Sequence, residues 1–283
     1  MSIEISHLTY IYDQGLPFAH KALDDLTFSI QDNVTTGIIG STGSGKSTLI
    51  QHFNALLVPT SGTVTVEGQD IAAKTTDKKL LRRKVGLVFQ YPETQLFGET
   101  VFQDVAFGPT KMDLPKEEIK ERVYKSLQMV GIDPDLYVER SPFQLSGGEK
   151  RKIAIAGILA IDPKILVLDE PSAGLDPASR SLLLDLVSGF AKSGKTIIMV
   201  SHDMDEIAKV CKNVIIMKKS KAIFVGPTDE AFSNPDLIAE AGLDVPALSF
   251  IGDRLRAKGF DLPRKIFTAG ELAKLVAAQV GGR

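Results

Sequence analysis

The chain has 283 residues, 43% hydrophobic and 24% charged, a composition suited to one large α/β domain with an appendage. Its formal net charge of −2 gives no electrostatic case for binding nucleic acid. Because Cys211 is the single cysteine, an internal disulfide is excluded and a reducing compartment is indicated. No apolar run approaches the roughly 18 residues that cross a bilayer, so we expect no membrane-spanning segment.

Two kinds of strand pattern follow along the chain. Alternating residues at 2–12, 26–30 and 63–68 predict strands of an antiparallel sheet. Mostly apolar runs predict the buried strands of a mainly parallel sheet, near 36–39, 85–89, 165–168, 196–200 and 213–217. A helical stretch from Leu114 to Gly131 is predicted between them, and we expect that region to form a helical subdomain.

A glycine-rich loop joins the strand at 36–39 to a predicted helix. Such a loop directs backbone N–H groups and a helix N-terminus at phosphate oxygens. Lys46 would reach the β- and γ-phosphates of a bound nucleotide, and Ser47 would place its hydroxyl on Mg²⁺. The alternative is a glycine-rich turn that only leads into a helix, which the full match of the fixed positions disfavours. The predicted nucleotide-binding residues of this loop are Gly40, Ser41, Thr42, Gly43, Ser44, Gly45, Lys46, Ser47 and Thr48.

Two adjacent carboxylates end the apolar strand at 165–168. Buried acids are costly unless they are paired or bind a metal. Asp169 is placed to hold the Mg²⁺ shell, and Glu170 could polarise an attacking water. A helix cap or a surface salt bridge is the alternative. The phosphate loop, whose Lys46 lies 123 residues upstream (169 minus 46), favours the catalytic interpretation.

A second glycine-opened helix start lies at Leu145-Ser146-Gly147-Gly148-Glu149, which indicates a second anion site. In this order and spacing the three motifs resemble the ATP-binding-cassette (ABC) ATPases, over residues 1 to about 242. The resemblance implies an α/β, P-loop NTPase ABC nucleotide-binding domain. Its parts would be a mixed sheet core, an antiparallel β subdomain and a helical signature subdomain.

The resemblance also assigns roles to single residues. Tyr12 is similar to the aromatic residue that stacks on adenine, although Tyr10 lies on the same strand face and core packing is the alternative. Gln90 resembles the Q-loop glutamine, Asp176 the D-loop aspartate and His202 the switch histidine. The implied catalytic residues are Glu170, His202 and Gln90, and the implied Mg²⁺ residues are Ser47, Gln90 and Asp169.

In this family two chains sandwich two ATP molecules, and the signature of one chain closes the ATP held by the other. That role falls on Ser146, Gly147, Gly148 and Glu149, with a second ATPase subunit, identical or different, as partner. Position 149 departs from the commonest pattern, which has Gln there. The acidic Glu149 suits a helix N-terminus but not a nearby phosphate.

After Gly242 the family core is complete, and two amphipathic helices are predicted. The first begins at Pro246, with Leu248, Ile251 and Leu255 on one face; the second opens with capping-box form at 268–271. Short amphipathic helices cannot bury their apolar faces alone. We therefore expect a C-terminal extension, 243–283, that packs on the core or on a second subunit, with dimerisation slightly favoured.

This extension and the segment 90–109 resemble the ATPase subunits of energy-coupling factor (ECF) transporters, and 15–18 resembles the second of their two isoforms. These transporters take up vitamins or transition-metal ions through a membrane-spanning coupling subunit and a small substrate-binding membrane subunit. The resemblance implies a peripheral ATPase on the cytoplasmic face of the cell membrane. Apolar residues at 91–97 with Glu93, Glu99 and Asp104 predict a docking groove with an acidic rim, the alternative being helical-subdomain core.

Three other functions are alternatives to this interpretation. The ATPase of a different ABC importer is the runner-up, because it would carry the same motifs. A soluble ABC protein of DNA repair or translation usually has a long coiled-coil insertion or a second cassette, and this chain has neither. A P-loop kinase has no use for the signature loop.

Overall fold

The computed structural model describes residues 1–263 and 269–280. An antiparallel sheet in the order β2-β1-β4-β5 forms one part of the molecule. Its strands are β1 Ile3–Tyr12, β2 His20–Ile30, β4 Ser61–Val66 and β5 Gln69–Asp70. The inward positions of β1, such as Ile3, Ile5 and Leu8, are buried beneath this sheet. The predicted antiparallel β subdomain is therefore present.

The central sheet has six strands in the order β10-β9-β3-β8-β7-β6. They are β3 Thr35–Gly40, β6 Val85–Val88, β7 Ile165–Asp169, β8 Thr196–Val200, β9 Asn213–Lys218 and β10 Lys221–Pro227. Every neighbouring pair is parallel except β10 with β9. The carboxyl ends of parallel strands meet at one edge of a sheet. This edge therefore brings together the residues that follow β3, β6, β7 and β8.

Helices cover this sheet and form a separate helical subdomain. Those beside the sheet are α1 Lys46–Phe53, α2 Lys78–Lys84, α7 Pro177–Lys192, α8 Met204–Val210, α9 Thr228–Phe232 and α10 Pro235–Glu240. The subdomain contains α3 Val101–Thr110, α4 Lys116–Met129, α5 Pro134–Tyr137 and α6 Gly147–Leu159. Its core includes Val105, Val123, Leu127 and Ile153, all fully buried, so the predicted helical subdomain is confirmed.

Two C-terminal helices, α11 Ala247–Ala257 and α12 Ala269–Val280, pack against each other. Leu262 and Leu272 are buried between them. Leu248 and Leu255 of the predicted apolar face pack on this cluster, whereas Ile251 is 44% exposed and does not pack on the core. Thr268 of the predicted capping box lies outside the described residues. Over 1–263 and 269–280, none of the helices has both the length and the apolar character of a membrane span.

Candidate nucleotide site

The glycine loop after β3 depends on two close approaches of the backbone. Gly40 has φ +152°, and a Cβ there would lie 2.2 Å from the Met217 carbonyl oxygen. Gly45 has φ +102°, and a Cβ there would lie 2.5 Å from the Ala22 carbonyl oxygen. Any other residue at either position would collide with backbone, so the loop path requires glycine.

Lys46 begins α1 and reaches back across this loop. Its ammonium donates to the carbonyl oxygens of Gly40 at 2.7 Å and Ser41 at 3.1 Å. Burial lowers the pKa of Lys46, while the carboxylates of Glu170 and Asp169 act to raise it. The Ser44 hydroxyl is buried and has no hydrogen-bond partner among the described residues. An ammonium, an unpaired hydroxyl and a helix N-terminus together suit a phosphate group.

Asp169 ends β7 and is 7% exposed. Burial is the main reason that the pKa of Asp169 is raised, and the negative charge of Glu170 raises it further. The hydrogen bond from the Ser47 hydroxyl to the Asp169 carboxylate acts in the opposite direction. A hydroxyl beside a carboxylate is an oxygen pair of the kind that Mg²⁺ prefers. No group of three or more His, Cys, Asp or Glu residues that could hold a metal occurs in the described part of the chain. A cation held at Ser47 and Asp169 would therefore need further oxygens, such as those of a nucleotide or water.

The three predicted catalytic residues meet at Glu170. Its carboxylate accepts a 3.0 Å hydrogen bond from the Gln90 amide and lies 3.4 Å from Nδ1 of His202. Glu170 has φ +47°, and its N–H donates to the Val200 carbonyl at 2.9 Å. Because the residues follow β6, β7 and β8, the central sheet brings together side chains that are far apart in sequence. The arrangement can orient and polarise one water molecule.

Tyr12 is linked to the first turn of α1. Its hydroxyl shares a 3.2 Å hydrogen bond with the Thr48 hydroxyl. Tyr10 instead packs on the core and lies edge-on to both Tyr12 and His52, with ring centroids 4.8 and 5.0 Å away. Of the two aromatic residues, Tyr12 thus lies beside the phosphate loop, and its stacking on adenine stays a prediction.

The signature residues start α6 on an exposed surface. Ser146 caps the helix. The Glu149 carboxylate accepts hydrogen bonds from the Ser146 backbone N–H at 2.8 Å and from the Ser146 hydroxyl at 2.7 Å. The Tyr137 hydroxyl donates to the other oxygen of Glu149 at 2.5 Å. These bonds, from Tyr137 first and then Ser146, lower the pKa of Glu149 to about 2. Gly147 and Gly148 are exposed with open space beside them.

A cleft of about 580 Å³ brings the signature beside the D-loop. Ser146, Gly148 and Glu149 line this cleft together with Asp176. Asp176 caps α7, and hydrogen bonds from the Ser179 hydroxyl first, and then from the N–H groups of Ser179 and Ala178, lower its pKa. Within this chain, the residues that line the cleft do not include those of the phosphate loop.

The predicted acidic rim of the segment 91–97 is wrong for Asp104, and Glu93 contributes to it only in part. Asp104 is 9% exposed, and its carboxylate accepts from the N–H groups of Phe97 and Gly98, both at 3.0 Å. Glu93 turns one carboxylate oxygen into the protein. Glu99 is exposed, so the surface here is mainly aromatic rather than acidic.

Two buried charged residues near Glu170 were missed by the sequence analysis. Arg151 in α6 donates to the carbonyl oxygens of Ala173 and Glu170. Glu206 in α8 accepts from the hydroxyls of Ser172 and Ser201. The available signal was spacing: Arg151 lies four residues before the buried Ile155, and Glu206 lies next to the buried Ile207.

Comparison with known proteins identifies the family. A model of the ABC transporter family matches residues 23–173, more than half of the chain. The energy-coupling factor transporter ATP-binding protein EcfA2 of Symbiobacterium thermophilum is 48% identical over 283 residues, 100% of this chain and 98% of that protein. This chain belongs to the ECF transporter ATP-binding proteins of the ABC family. EcfA2 of Clostridioides difficile is also similar, at 46% identity over 285 residues, 100% of this chain and 99% of that protein.

Solved structures agree with this membership. CbiO1 from Clostridium perfringens, described as part of the ABC transporter complex cbiONQ, has a TM-score of 0.74 at 37% identity and covers 90% of this chain and 98% of its own. An ATP-binding cassette solved as a dimer with ADP and Pi has a TM-score of 0.71 at 26% identity, over 80% of this chain and 98% of its own. The predictions of an ABC fold, an ATPase, the ECF type and its second isoform are confirmed.

Proposed function

We propose that this ECF-type ATPase hydrolyses MgATP at a site that it shares with a second ATP-binding subunit. It would act as a peripheral protein on the cytoplasmic face of the membrane. The observation that carries the proposal is the meeting of Gln90 and His202 at the Glu170 carboxylate, at the sheet edge that also holds Lys46 and Asp169. One group of side chains can thus bind the triphosphate and activate water beside it.

Each residue has a distinct part in this reaction. Lys46 and the loop N–H groups hold the β- and γ-phosphates, and Ser47 and Asp169 hold Mg²⁺, with Gln90 within reach of the same shell. Mg²⁺, when bound, neutralises charge on the phosphates. Glu170 orients or deprotonates the attacking water, and His202 and Gln90 keep its carboxylate in place. Tyr12 lies where it can stack on the base.

The exposed signature supports a shared site. Ser146, Gly147 and Gly148 present a helix N-terminus on a surface apart from the phosphate loop of the same chain. The γ-phosphate of ATP held by a partner would satisfy that N-terminus. ATP then binds the closed pair better than the open pair, and this difference in affinity can move a membrane subunit. Hydrolysis removes the bridging phosphate and reopens the pair.

An aromatic patch, Tyr91, Phe97 and Phe107, is the proposed contact with the membrane-spanning coupling subunit. These side chains are 50%, 61% and 49% exposed. The rings of Phe97 and Phe107 meet edge-on at 5.0 Å, and the Lys111 ammonium lies 5.5 Å from the Phe107 centroid. The patch begins directly after Gln90. A partner that presses on it therefore acts one residue away from a group that contacts Glu170.

The transported substrate would be a vitamin or a transition-metal ion selected by a small substrate-binding membrane subunit. The extension 243–283 would hold two ATPase subunits together, because Phe250 and Ile251 on α11 are 48% and 44% exposed. The second candidate function, an ATPase of another ABC importer, uses the same nucleotide site and differs only in the membrane partner.

Purification of the full-length protein from its native membranes in mild detergent tests this function. We expect it to copurify with a second ATP-binding subunit, a coupling subunit and a small substrate-binding subunit. The double variant Phe97→Ala/Phe107→Ala should lose most of the membrane subunits while it keeps ATP binding. Leu136→Ala, which shortens a 60% exposed side chain elsewhere in the helical subdomain, serves as control and should assemble normally.

Two results would contradict the proposal. Copurification with the permease of an importer that uses a separate soluble binding protein would favour the second candidate. Normal assembly of the double variant would place the docking surface elsewhere on the molecule.

A further inference from the structure

Arg151 is a buried cation beside the turn that begins at Glu170. It lies in α6, five residues after Ser146, and is 4% exposed. A charge buried to this degree is stable only when other groups satisfy it. The ATPase chemistry described above assigns no role to Arg151, so we infer its role from its contacts.

The guanidinium closes a turn that begins at the catalytic carboxylate. One terminal nitrogen, Nη1, donates to the Ala173 carbonyl at 2.5 Å, and the other, Nη2, donates to the Glu170 carbonyl at 3.1 Å. The Ala173 N–H also donates to the Glu170 carbonyl, at 3.2 Å. Arg151 therefore holds both ends of the turn 170–173. The planar guanidinium of arginine can donate to two carbonyl groups at once, whereas the ammonium of lysine is a single compact donor group.

This turn needs support because Glu170 has an unfavourable backbone conformation. Its φ of +47° is one that residues other than glycine rarely adopt. The Val200 carbonyl holds its N–H and Arg151 holds its C=O. With both sides of the backbone fixed, the side chain points to Gln90 at 3.0 Å and His202 at 3.4 Å.

Glu93 is an acidic residue on the Q-loop side whose charge acts on Arg151. It belongs to the 3₁₀ helix Pro92–Gln95, which packs on α6. Its Oε2 and the Arg151 Nε are both buried without a hydrogen-bond partner within the described residues. Burial lowers the pKa of Arg151, and the Glu93 charge opposes that effect most strongly. The carboxylate thus stabilises the charged guanidinium.

We propose that Arg151 is a positioning residue that fixes the Glu170 main chain, and that Glu93 supports it from the Q-loop segment. The signature helix and the catalytic carboxylate are then joined mechanically, because Ser146 and Arg151 lie on the same helix. The inference depends on Glu170 as the catalytic carboxylate of the proposed function. It adds a route by which movement of α6 or of the 92–95 segment reaches the attacking water.

Replacement of Arg151 by lysine keeps the positive charge and removes the pair of terminal guanidinium nitrogens that donate to the two carbonyls. The full-length Arg151→Lys variant should lose roughly 10-fold or more in kcat, with KM for ATP changed less than about twofold, because binding residues stay in place while Glu170 shifts. Arg122→Lys is the matched control. Arg122 also donates to two backbone carbonyls, Ala160 at 3.5 Å and Ile161 at 3.3 Å, but far from Glu170. Its kcat should stay within about twofold of wild type.

A double-mutant cycle separates positioning from general support of the fold. In a Glu170→Ala background, Arg151→Lys should cause less than about a twofold further loss of residual hydrolysis, since its effect acts through Glu170. Equal losses of kcat in Arg151→Lys and Arg122→Lys, a loss confined to KM, or full additivity with Glu170→Ala would each overturn the inference. If Glu170→Ala itself keeps wild-type hydrolysis, the proposed function fails instead, which distinguishes the two failures.

Glu93→Gln decides the case if Arg151→Lys does not fold. It keeps the side-chain shape and removes the charge that acts on Arg151. A folded Glu93→Gln variant should lose about threefold or more in kcat at unchanged KM for ATP. Wild-type kcat in that variant would overturn the supporting role of Glu93 and, without a folded Arg151→Lys, the inference as a whole.

Discussion

The Tyr137 hydroxyl donates a 2.5 Å hydrogen bond to the Glu149 carboxylate, and so joins α5 to the first turn of the signature helix. The other oxygen of the same carboxylate accepts from the backbone and the hydroxyl of Ser146. The acidic residue at position 149 is therefore part of a cap that holds the signature loop in shape. A glutamine could accept some of these bonds but would bring no charge to the helix N-terminus.

The cap predicts a pH-dependent stability difference between wild type and Glu149→Gln. The pKa of Glu149 is lowered from 4.5 to about 2, so its ionised form stabilises the fold above pH 4.5. That contribution is lost as the pH falls from 4.5 towards 2. We expect Glu149→Gln to melt below wild type at pH 7 and the gap in melting temperature to narrow as the pH drops through this range. Tyr137→Phe, which removes the donor alone, should lower the melting temperature in the same direction, and a gap that widens in acid would contradict the cap.

Glu170→Gln should separate binding from hydrolysis. The variant keeps Lys46 and Asp169, so ATP affinity should be retained, while hydrolysis should fall by roughly 10²-fold or more because the base is removed. The closed dimer should accumulate, since the bridging phosphate is not cleaved; sedimentation with ATP measures this. Lys46→Ala should instead weaken ATP binding by about 10-fold or more. Near-normal turnover in Glu170→Gln would mean that another group activates the water.

Glu206 should be a major contributor to stability. Its carboxylate is 3% exposed, accepts from Ser172 at 2.7 Å and Ser201 at 3.1 Å, and lies 3.4 Å from Arg180 Nε. Glu206→Ala leaves these donors unpaired and should cost about 3 kcal/mol in the free energy of unfolding, measured with denaturant.

An exposed ion pair supplies the control for Glu206. Glu240 lies 3.3 Å from Lys218, and its side chain is 58% exposed. Glu240→Ala should lower the free energy of unfolding by less than about 1 kcal/mol. If the two alanine variants are equally stable, the buried network does not contribute as described.

Removal of residues 244–283 tests the C-terminal extension. The buried residues between α11 and α12, Leu262 and Leu272, form a cluster of their own, so the remaining chain should stay folded and bind ATP. Pairing without nucleotide should weaken, which sedimentation would show as a shift towards monomer. Ile251→Asp, at a 44% exposed position, should give the same shift with less disturbance. A truncated chain that unfolds would make the extension part of the core.

Much of the site could be predicted because it follows from chain order. Gly40, Asp169 and His202 each end or follow an apolar strand, and Gln90 closely follows another. Once these strands are parallel neighbours, their carboxyl ends must meet at one edge. The phosphate loop could also be predicted from its glycine spacing, since the backbone contacts at Gly40 and Gly45 leave no room for a side chain.

The direction of charged side chains was decided by the tertiary structure alone. Asp104 and Glu93 read as an exposed acidic rim in the sequence, yet one binds backbone N–H groups and the other buries one of its carboxylate oxygens. The physical reason is that the burial of a charge depends on which donors lie opposite it, and those donors come from distant parts of the chain. Residue order therefore determined which groups meet at the proposed nucleotide site, while packing between the helical subdomain and the sheet decided which groups hold them in place.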